Sequence, residues 1–402
     1  MKYFFLFCKI KSLKSEYLLA IVFILVAVIS FIFIRNFYSF IEKEHNEISL
    51  HKKMIMDENS PDPGKTAAVS YEKPKNIPKV KTGIYFERIE SLAIKNSQWT
   101  GEFYLWFTWN QSEVDFLGIR PLLAKQYELN TLNELKLKSI MNELNLSSLP
   151  ISVINGEIES FNEVSRNITL APNELSYVQF KVKAQITQFF DVTLFPIDAH
   201  DLLVSIEHAW LNRQKVLLVP DTNDTKISSR VSITGYKILR KTSKIIEKPH
   251  AYKSARGNPN LPSGFKVDFS QIRMSVPIKR GGIEGVFKLF LIVYVAVIVA
   301  FLGTLAKDPS RFVVGSLFTA AGSSIILSSK LPTTDIITLA EFINGFALIT
   351  IIIIIIVTVL ISIITKADGV ITKSEKYWSL SIYLLLALAY VILNYSALSL
   401  VI

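Results

Sequence analysis

The last third of the chain contains four apolar runs that are each long enough to cross a lipid bilayer. They cover Gly285 to Leu305, Arg311 to Leu331, Ile336 to Ile364 and Tyr377 to Val401, and a spanning helix needs about 20 such residues. Backbone polar groups inside a bilayer must be satisfied within the spanning segment, so these runs are predicted to be helices. We therefore expect residues 284–402 to form a four-helix transmembrane bundle.

A fifth apolar run, Tyr17 to Ile34, follows a basic N-terminal stretch. A signal peptide is one interpretation, but the run is long for one and no small-residue cleavage site follows it. We favour an uncleaved anchor and assign residues 1–36 to a cytoplasmic tail and membrane anchor. Counting spans from a cytoplasmic N-terminus in an inner or plasma membrane places the middle of the chain outside, in the periplasm or extracellular space. The basic residues of the short C-terminal links support this topology.

The middle of the chain has a different pattern. Residues 37–82 are polar and contain four prolines, which predicts a linker. Residues 83–283 consist of short alternating segments rich in aromatic and β-branched residues, such as Gly101 to Thr108, with one helical exception at Leu132 to Leu144. About 200 residues of this kind predict an antiparallel β-sandwich. A mean hydropathy of +0.35 fits a membrane protein with a large soluble domain.

Several classes of function are disfavoured by composition and spacing. The single cysteine excludes an internal disulfide. His200 and His208 would lie about 26 Å apart along one strand, too far to share a metal ion. No nucleophile elbow or phosphate-binding loop is present, so we expect no enzyme, no cofactor and no metal site. The net charge of +10 comes from dispersed lysines, which does not indicate nucleic-acid binding.

Phe195, Pro196 and Asp198 form the pattern F-P-x-D directly before the strand LLVSIEHAW. Together with one outer β-domain followed by four helices, this pattern resembles the pentameric ligand-gated ion channels, the Cys-loop receptor family. Gln188 and Leu202 stand where animal receptors have cysteines, which is similar to the prokaryotic branch. The resemblance covers roughly residues 82–402.

Further segments follow the order of that family. Gly101 to Trp109 resembles an early strand that ends in tryptophan, and Lys266 to Ile278 resembles the last strand before the membrane. The chain also departs from the family pattern. The first C-terminal span lacks the expected proline, the second is about two residues short, and the N-terminal anchor is additional.

The resemblance implies a homo-oligomer, a pentamer, that sits in a lipid bilayer and conducts inorganic ions through a central pore. A small ligand or a proton would act on the outer sandwich, and the sequence does not identify it. A ligand site would lie between neighbouring sandwiches, with Tyr104, Trp106, Trp210 and Tyr252 as candidates. Aromatic faces suit a cationic or amphiphilic ligand, whereas packing in the sandwich core is the alternative for each of them.

The second C-terminal span, about residues 311–331, is the candidate pore helix because it is the least apolar of the spans. Two registers are compatible with pore lining. One places the hydroxyls of Ser316, Thr319 and Ser323 in the pore. The other, set by the Leu-Pro pair as in the family, would form hydrophobic gates, and it lines the pore with Arg311, Gly315, Phe318, Gly322, Ile325 and Ser329. Tight helix packing through small residues is the alternative to both.

Charge selectivity would be set at the inner mouth, where Lys307 and Asp308 precede Arg311. Both signs of charge are present, so the pattern does not distinguish a cation channel from an anion channel. An interfacial anchoring role for these residues is equally compatible with the sequence.

Coupling between the sandwich and the membrane helices is assigned by resemblance to three segments. They are the loop with Phe195, Pro196 and Asp198, the last strand with Arg273, and the link with Pro332 and Asp335. A buried Asp–Arg pair would suit a rigid transmission point, and a surface aspartate in a turn is the alternative. Two other functions remain open for the whole chain, a non-conducting membrane sensor or scaffold of the same fold and an envelope adhesion or assembly protein.

Overall fold

The computed structural model shows a β-sheet domain and several long apolar helices. It describes residues 15–62, 72, 75–110, 113–116, 151–169, 174–254, 259–260, 262–306, 309–331, 337–368 and 373–399. The helix expected at Leu132 to Leu144 lies outside the described residues.

Five helices of the described chain are long and apolar enough to cross a membrane. They are α1 (Ser15–Ile55), α2 (Gly282–Gly303), α3 (Pro309–Lys330), α4 (Leu339–Asp368) and α5 (Lys373–Ser399). Helix α1 continues well beyond the predicted anchor, to Ile55, and the first strand already begins at Lys79. Residues 37–55 of the expected linker over residues 37–82 are therefore helical.

The described strands form two sheets. They are β1 (Lys79–Ala93), β2 (Gln98–Trp109), β3 (Ile151–Val153), β4 (Gly156–Asn167), β5 (Ser176–Thr187), β6 (Ala199–His208), β7 (Leu217–Pro220), β8 (Lys226–Ile227), β9 (Tyr236–Ile238), β10 (Lys244–Lys253) and β11 (Lys266–Arg280). A six-stranded sheet has the order β4-β5-β2-β1-β7, with β8 also paired to β1, and a five-stranded sheet has the order β10-β11-β6-β3, with β9 also paired to β11.

Strand β2 shows why these segments form a sandwich. Phe103, Leu105 and Phe107 alternate with Tyr104 and Trp106, and the first three are fully buried in the core. Because side chains of a strand point alternately to opposite faces, one face packs inward while the other carries the larger polar aromatics. The β-sandwich predicted from the alternation is in this respect confirmed, since the two sheets enclose one continuous hydrophobic core. The sandwich is not purely antiparallel as predicted, because β1 pairs in parallel with β7 and β8.

The described residues divide into two compact units. The membrane unit comprises residues within Met1–Glu47, Asp191–Asp198 and Arg280–Ile402. The sheet unit comprises residues within Ile48–Phe190 and Ala199–Lys279. The loop with the F-P-x-D pattern thus belongs to the membrane unit, although it lies in the middle of the predicted β-domain at residues 83–283.

The anchor helix is a packed part of the membrane unit. Phe33 and Phe37 of α1 lie against Phe342 of α4, with ring centroids 4.7 and 4.6 Å apart. Polar contacts join the remaining helices, because an isolated hydroxyl or amide is costly in lipid. Tyr294 of α2 donates a hydrogen bond of 2.9 Å to Asn394 of α5.

Candidate functional site

Helix α3 has a broad exposed face. On it we define a stripe in which Gly322 is half-buried and the other members are exposed: Arg311, Gly315, Phe318, Gly322, Ile325 and Ser329. Phe318 and Ile325 are 73% and 74% exposed, the most accessible large apolar side chains of this helix. The residues recur at steps of three or four, so they share one helical face. This is the face that the register based on the Leu-Pro pair predicted for the pore.

The opposite face of α3 packs inside the membrane unit. Ser316 and Ser323 are only 3% and 9% exposed, and Val313, Ala320 and Leu327 are buried beside them. The register that placed Ser316 and Ser323 in a pore is therefore wrong for these two residues, whereas Thr319 is exposed beside the stripe. Their small size lets the neighbouring helices approach closely, as the packing alternative expected.

The hydroxyl groups of α3 do not require water. Ser316 donates to the carbonyl of Phe312 at 2.8 Å, and Thr319 donates to that of Gly315 at 3.0 Å. Serine and threonine in helices commonly bond the carbonyl four residues earlier, which satisfies the hydroxyl within the helix itself. The polarity of this span is thus not by itself a sign of a pore.

The inner-mouth charges are only partly covered by the structure. Lys307 and Asp308 lie outside the described residues. Arg311, at the start of the stripe, is exposed. Of the three charged residues, the structure therefore places only Arg311.

The loop of residues 191–198, which we call the FP loop, caps the N-terminus of α4. The amide of Leu339 donates to the carbonyl of Thr193 at 2.7 Å, and the amide of Ala340 donates to that of Phe195 at 3.1 Å. These are amides of the first helical turn, which have no acceptor within the helix. The FP loop is thereby hydrogen-bonded directly to the helix that follows α3 in the chain.

A capping box completes the same helix start. The side chain of Glu341 accepts hydrogen bonds from the amide and hydroxyl of Thr338, at 2.9 and 3.0 Å, and the amide of Glu341 donates to the Thr338 hydroxyl at 3.2 Å. This reciprocal pair follows the pattern T-x-x-E. The first turn of α4 is held on one side by its own residues and on the other by the FP loop.

Asp198 closes the FP loop by pairing with Arg280. The guanidinium donates to both carboxylate oxygens, at 2.6 Å from Nε and 3.1 Å from Nη2. The same guanidinium lies 4.7 Å from the ring centre of Phe195, and the Arg280 amide donates to the Asp198 carbonyl at 3.0 Å. A planar fork that also stacks on a ring is a contact that arginine makes and lysine does not.

The arginine that pairs with Asp198 is therefore not Arg273, as the sequence analysis supposed. Arg273 and Arg280 are seven residues apart on β11, so they lie about 23 Å apart and point to opposite faces of the sheet. The register of β11 against β6 is continuous from Gln271 to Lys279, which preserves this alternation. Pro332 and Asp335, the other coupling candidates, lie outside the described residues.

Arg273 instead forms a buried cluster in the sheet unit, which we call the clamp. Its two terminal nitrogens donate to Asp62 at 2.5 and 2.6 Å, and Lys248 lies 2.9 Å from the same carboxylate. Both cations also donate to backbone carbonyls at the end of α1, Lys248 to Met54 and Ile55 and Arg273 to Ile55. The clamp ties the end of α1 and the segment after it to strands β10 and β11.

Electrostatics at the clamp favour the ionised carboxylate. Burial raises the pKa of Asp62, but hydrogen bonds and charge from Arg273 and then Lys248 outweigh burial and hold this pKa well below its ordinary value. Burial lowers the pKa of Lys248. Two cations face one carboxylate, and the carbonyls at the C-terminus of a helix carry the partial negative charge that compensates the excess.

Two of the predicted ligand-site aromatics lie on the outer face of the six-stranded sheet. Trp106 donates to Asp221 at 3.2 Å and covers Gly83, where an added Cβ would lie 2.2 Å from the indole ring. Tyr104 lies two residues away on the same face, with the ammonium of Lys181 at 5.6 Å from its ring centre. Both are half-buried, which leaves an aromatic edge accessible to a partner.

The other two candidates belong to the five-stranded sheet. Trp210 is 69% exposed directly after β6, and Tyr252 of β10 donates to Glu207 at 2.9 Å. His208 positions the Trp210 turn, because its Nδ1 accepts from the amides of Trp210 and Leu211 at 3.1 and 2.9 Å. The four aromatics are thus split between two sheets.

The protonation of His208 is defined by its contacts. Nδ1 accepts two amide bonds, so the proton lies on Nε2, which contacts the Phe116 carbonyl at 3.0 Å. Burial lowers the pKa of this imidazole, and the bond to Phe116 opposes the shift. A neutral ring therefore holds the turn that carries Trp210.

No protein-family model matches this chain, and no curated protein matches its sequence.

Three contacts of the candidate site were not found from the sequence. Arg280 and the clamp residue Asp62 carry no local motif, since each is defined by a partner far away in the chain. The capping box of Thr338 and Glu341 does have a sequence signal, the pattern T-L-A-E before an apolar run.

Proposed function

We propose that the chain is a subunit of a pentameric ligand-gated ion channel in which the α3 stripe lines the pore. The observation that carries the proposal is the exposure of Phe318 and Ile325 on a stripe whose opposite face is packed. In a five-fold assembly each of these side chains forms a hydrophobic ring. Such rings close a pore by dewetting, so we assign the gate to Phe318 and Ile325.

In this proposal the FP loop transmits the stimulus. It is continuous with β6, it is paired through Asp198 to the end of β11, and its carbonyls cap α4. A displacement of either strand would therefore reach the helix that follows the pore helix. Because the cap bonds are backbone bonds inside a buried loop, they have few alternative arrangements, which suits transmission.

The split of the four aromatics supports a ligand site between neighbouring subunits. Tyr104 and Trp106 would form one half of it and Trp210 and Tyr252 the other, each from a different copy. Aromatic ring faces favour a cationic or amphiphilic ligand. Protonation of His208 removes the acceptor that holds the Trp210 turn, so acid is a second stimulus compatible with the same half-site.

Cysteine accessibility tests the assignment of the pore. Cys8 is the only cysteine of the chain, so Cys8→Ser provides a background without thiols. We expect a charged, water-soluble thiol reagent to modify Ile325→Cys at least about tenfold faster than Ile326→Cys or Ser323→Cys, because the reactive thiolate forms in water and not in lipid or packed protein. Modification of Ile325→Cys should also change the unitary current in a planar bilayer.

Ile326→Cys is the matched control, because Ile326 is an exposed isoleucine on the same helix but lies off the stripe. Equal rates at the two isoleucines would contradict pore lining. Phe318→Ala and Phe312→Ala form a second pair, of which only Phe318→Ala should alter conduction. A non-pentameric mass with no current under acid, amines or calcium would contradict the channel altogether.

A non-conducting sensor or scaffold of the same fold is the second candidate. Its support is that the stripe carries two large apolar side chains, Phe318 and Ile325, over most of its length. A pentamer by native mass spectrometry that stays silent, with Ile325→Cys unreactive under every stimulus, would favour this function over the channel.

A further inference from the structure

The sheet unit contains a cavity of about 470 Å³ between β8 and the beginning of β10. Its rim carries the cationic groups of Lys226, Arg240 and Lys244, and no acidic residue lines it. Small-molecule sites commonly occupy about 300–1,000 Å³, so the cavity has room for a ligand of modest size.

The positive charge at the rim is not neutralised. Within the part of the chain that the structure describes, Lys226 and Lys244 form no ion pair with a carboxylate. Residues 222–246 contain six lysines and arginines and one acid, Asp224. Asp221, which precedes the lining residue Thr222, pairs with Lys81 at 3.1 Å and accepts a hydrogen bond from Trp106. A cavity lined by basic residues and by no acidic one favours an anionic ligand.

Arg240 is preorganised for such a ligand. Its Nε and Nη2 donate to the backbone carbonyls of Ser228, Ser229 and Val231, with the Ser228 bonds at 3.3 Å. These bonds fix the guanidinium but do not cancel its charge, because a carbonyl is neutral. A fixed guanidinium loses little freedom when it binds a carboxylate or phosphate, which favours binding.

The floor of the cavity is apolar. Ile227, Ile245 and Ile246 line it and are buried, and the first two belong to the core between the sheets. A wholly polar anion would make no apolar contact with these isoleucines. A ligand with a hydrocarbon part would bury surface there, at about 0.8 kcal/mol for each methylene group.

We propose that this cavity binds an amphiphilic organic anion, with a carboxylate or phosphate head between Lys226, Arg240 and Lys244 and an apolar tail on the isoleucine floor. All residues of this site belong to the sheet unit, so the proposal does not depend on the assignment of the pore.

Isothermal titration calorimetry on the full chain in lipid nanodiscs tests the site. The probes are hexanoate, hexyl phosphate, inorganic phosphate and the neutral analogue hexanol. We expect the two amphiphilic anions to bind and to be weakened about tenfold or more in the Lys226→Gln/Lys244→Gln variant, because each lost contact is a charge-assisted one. The ratio of hexanoate to hexyl phosphate affinity identifies the preferred head group.

Lys241→Gln is the matched control, because Lys241 is an exposed lysine of the same basic segment that does not line the cavity. It should change the affinity by less than about twofold, since a solvated charge outside the cavity is screened. Equal weakening by the control would overturn the site in favour of a diffuse basic surface. Binding of hexanol as tight as hexanoate, tighter binding of inorganic phosphate, or no binding at about 10 mM would also overturn it.

Discussion

Each of the two units of this protein contains an arginine that donates to an aspartate through two of its guanidinium nitrogens. The surroundings of the two ion pairs differ. In the membrane unit, Asp198 pairs with Arg280, whose side chain is 23% exposed. In the sheet unit, Asp62 lies between Arg273 and Lys248, whose side chains are 6% and 1% exposed. One pair is neutral and reaches solvent, whereas the other carries a buried excess of positive charge.

This difference indicates what each pair does. A buried charge without a partner is costly, so the clamp stabilises the attachment of α1 only while the carboxylate of Asp62 faces its buried cations. In the Asp198–Arg280 pair only the carboxylate is fully buried and the arginine is partly exposed, and the geometry of this pair is coupled to the backbone cap on α4. We infer that the clamp is a structural fastening and that the membrane pair is the one suited to small rearrangements.

The largest effect is expected from Asp62→Asn. The substitution leaves Arg273 and Lys248 buried without a counter-ion, which should lower the free energy of opening of the β10–β11 pairing by about 3–5 kcal/mol. Native-state hydrogen exchange of the β10 and β11 amides measures this quantity. Asp57→Asn is the control, because Asp57 lies on the same segment but bonds locally to Asn59 and Ser60.

Acid provides a second arm of this experiment. The pKa of Asp62 is depressed in the folded protein, so its contribution is complete above the unfolded value of about 3.9 and is lost as pH falls through the folded pKa. The difference between the wild-type protein and Asp62→Asn should therefore be constant near neutrality and shrink below about pH 4. A constant difference down to strong acid would contradict the role of this carboxylate.

An intermediate effect is expected from Arg280→Gln. Losing the charge-assisted bonds to Asp198 should cost about 2 kcal/mol, and the loss should appear at the amides of Leu339 and Ala340, whose acceptors lie in the FP loop. Hydrogen exchange of these two amides is the measurement. Arg280→Lys should recover only part of the protection, because lysine lacks the fork and the ring contact with Phe195.

The amide of Phe342 is an internal control for that prediction. It donates to the Thr338 carbonyl at 2.9 Å within the first turn of α4, so it does not depend on the FP loop directly. Faster exchange at Phe342 with Leu339 unchanged would show that Arg280 acts on the helix by another route.

The smallest effect is expected from Lys248→Met. The substitution removes the surplus cation and leaves the neutral pair of Asp62 and Arg273, while an apolar chain of similar length fills the space. Because buried charges are often replaced by apolar groups without loss, the cost should stay below about 1.5 kcal/mol. A cost as large as that of Asp62→Asn would show that Lys248 is as necessary to the clamp as Asp62. The clamp would then carry no surplus cation, which would contradict the difference drawn between it and the Asp198–Arg280 pair.

Much of the secondary structure was predictable from residue periodicity. The helix predicted from Ile336 to Ile364 corresponds to α4, Leu339–Asp368. The strand predicted from Gly101 to Thr108 corresponds to β2, Gln98–Trp109. These elements are determined by local patterns of apolar residues, and their ends shift by a few residues only. The F-P-x-D loop was also visible as a pattern.

The partner of each charged residue was not predictable. Arg273 and Arg280 lie on one strand, and only the continuous register against β6 shows that they point to opposite faces. Asp62 and Arg273 are 211 residues apart in the chain. A contact of this range depends on where the end of α1 lies in the sheet unit, and no local pattern encodes that position.

The amino-acid sequence by itself determined that the chain has long apolar helices, a β-sandwich and one apolar helix with more serines and glycines than the others. The tertiary structure decided which face of that helix is packed. A helix with small polar residues all around satisfies its hydroxyls internally, so composition permits either Ser316 and Ser323 or Phe318 and Ile325 to face outward. Contact with the neighbouring helices buries the serines and leaves Phe318 and Ile325 exposed, because small side chains at Ser316 and Ser323 let those helices approach closely.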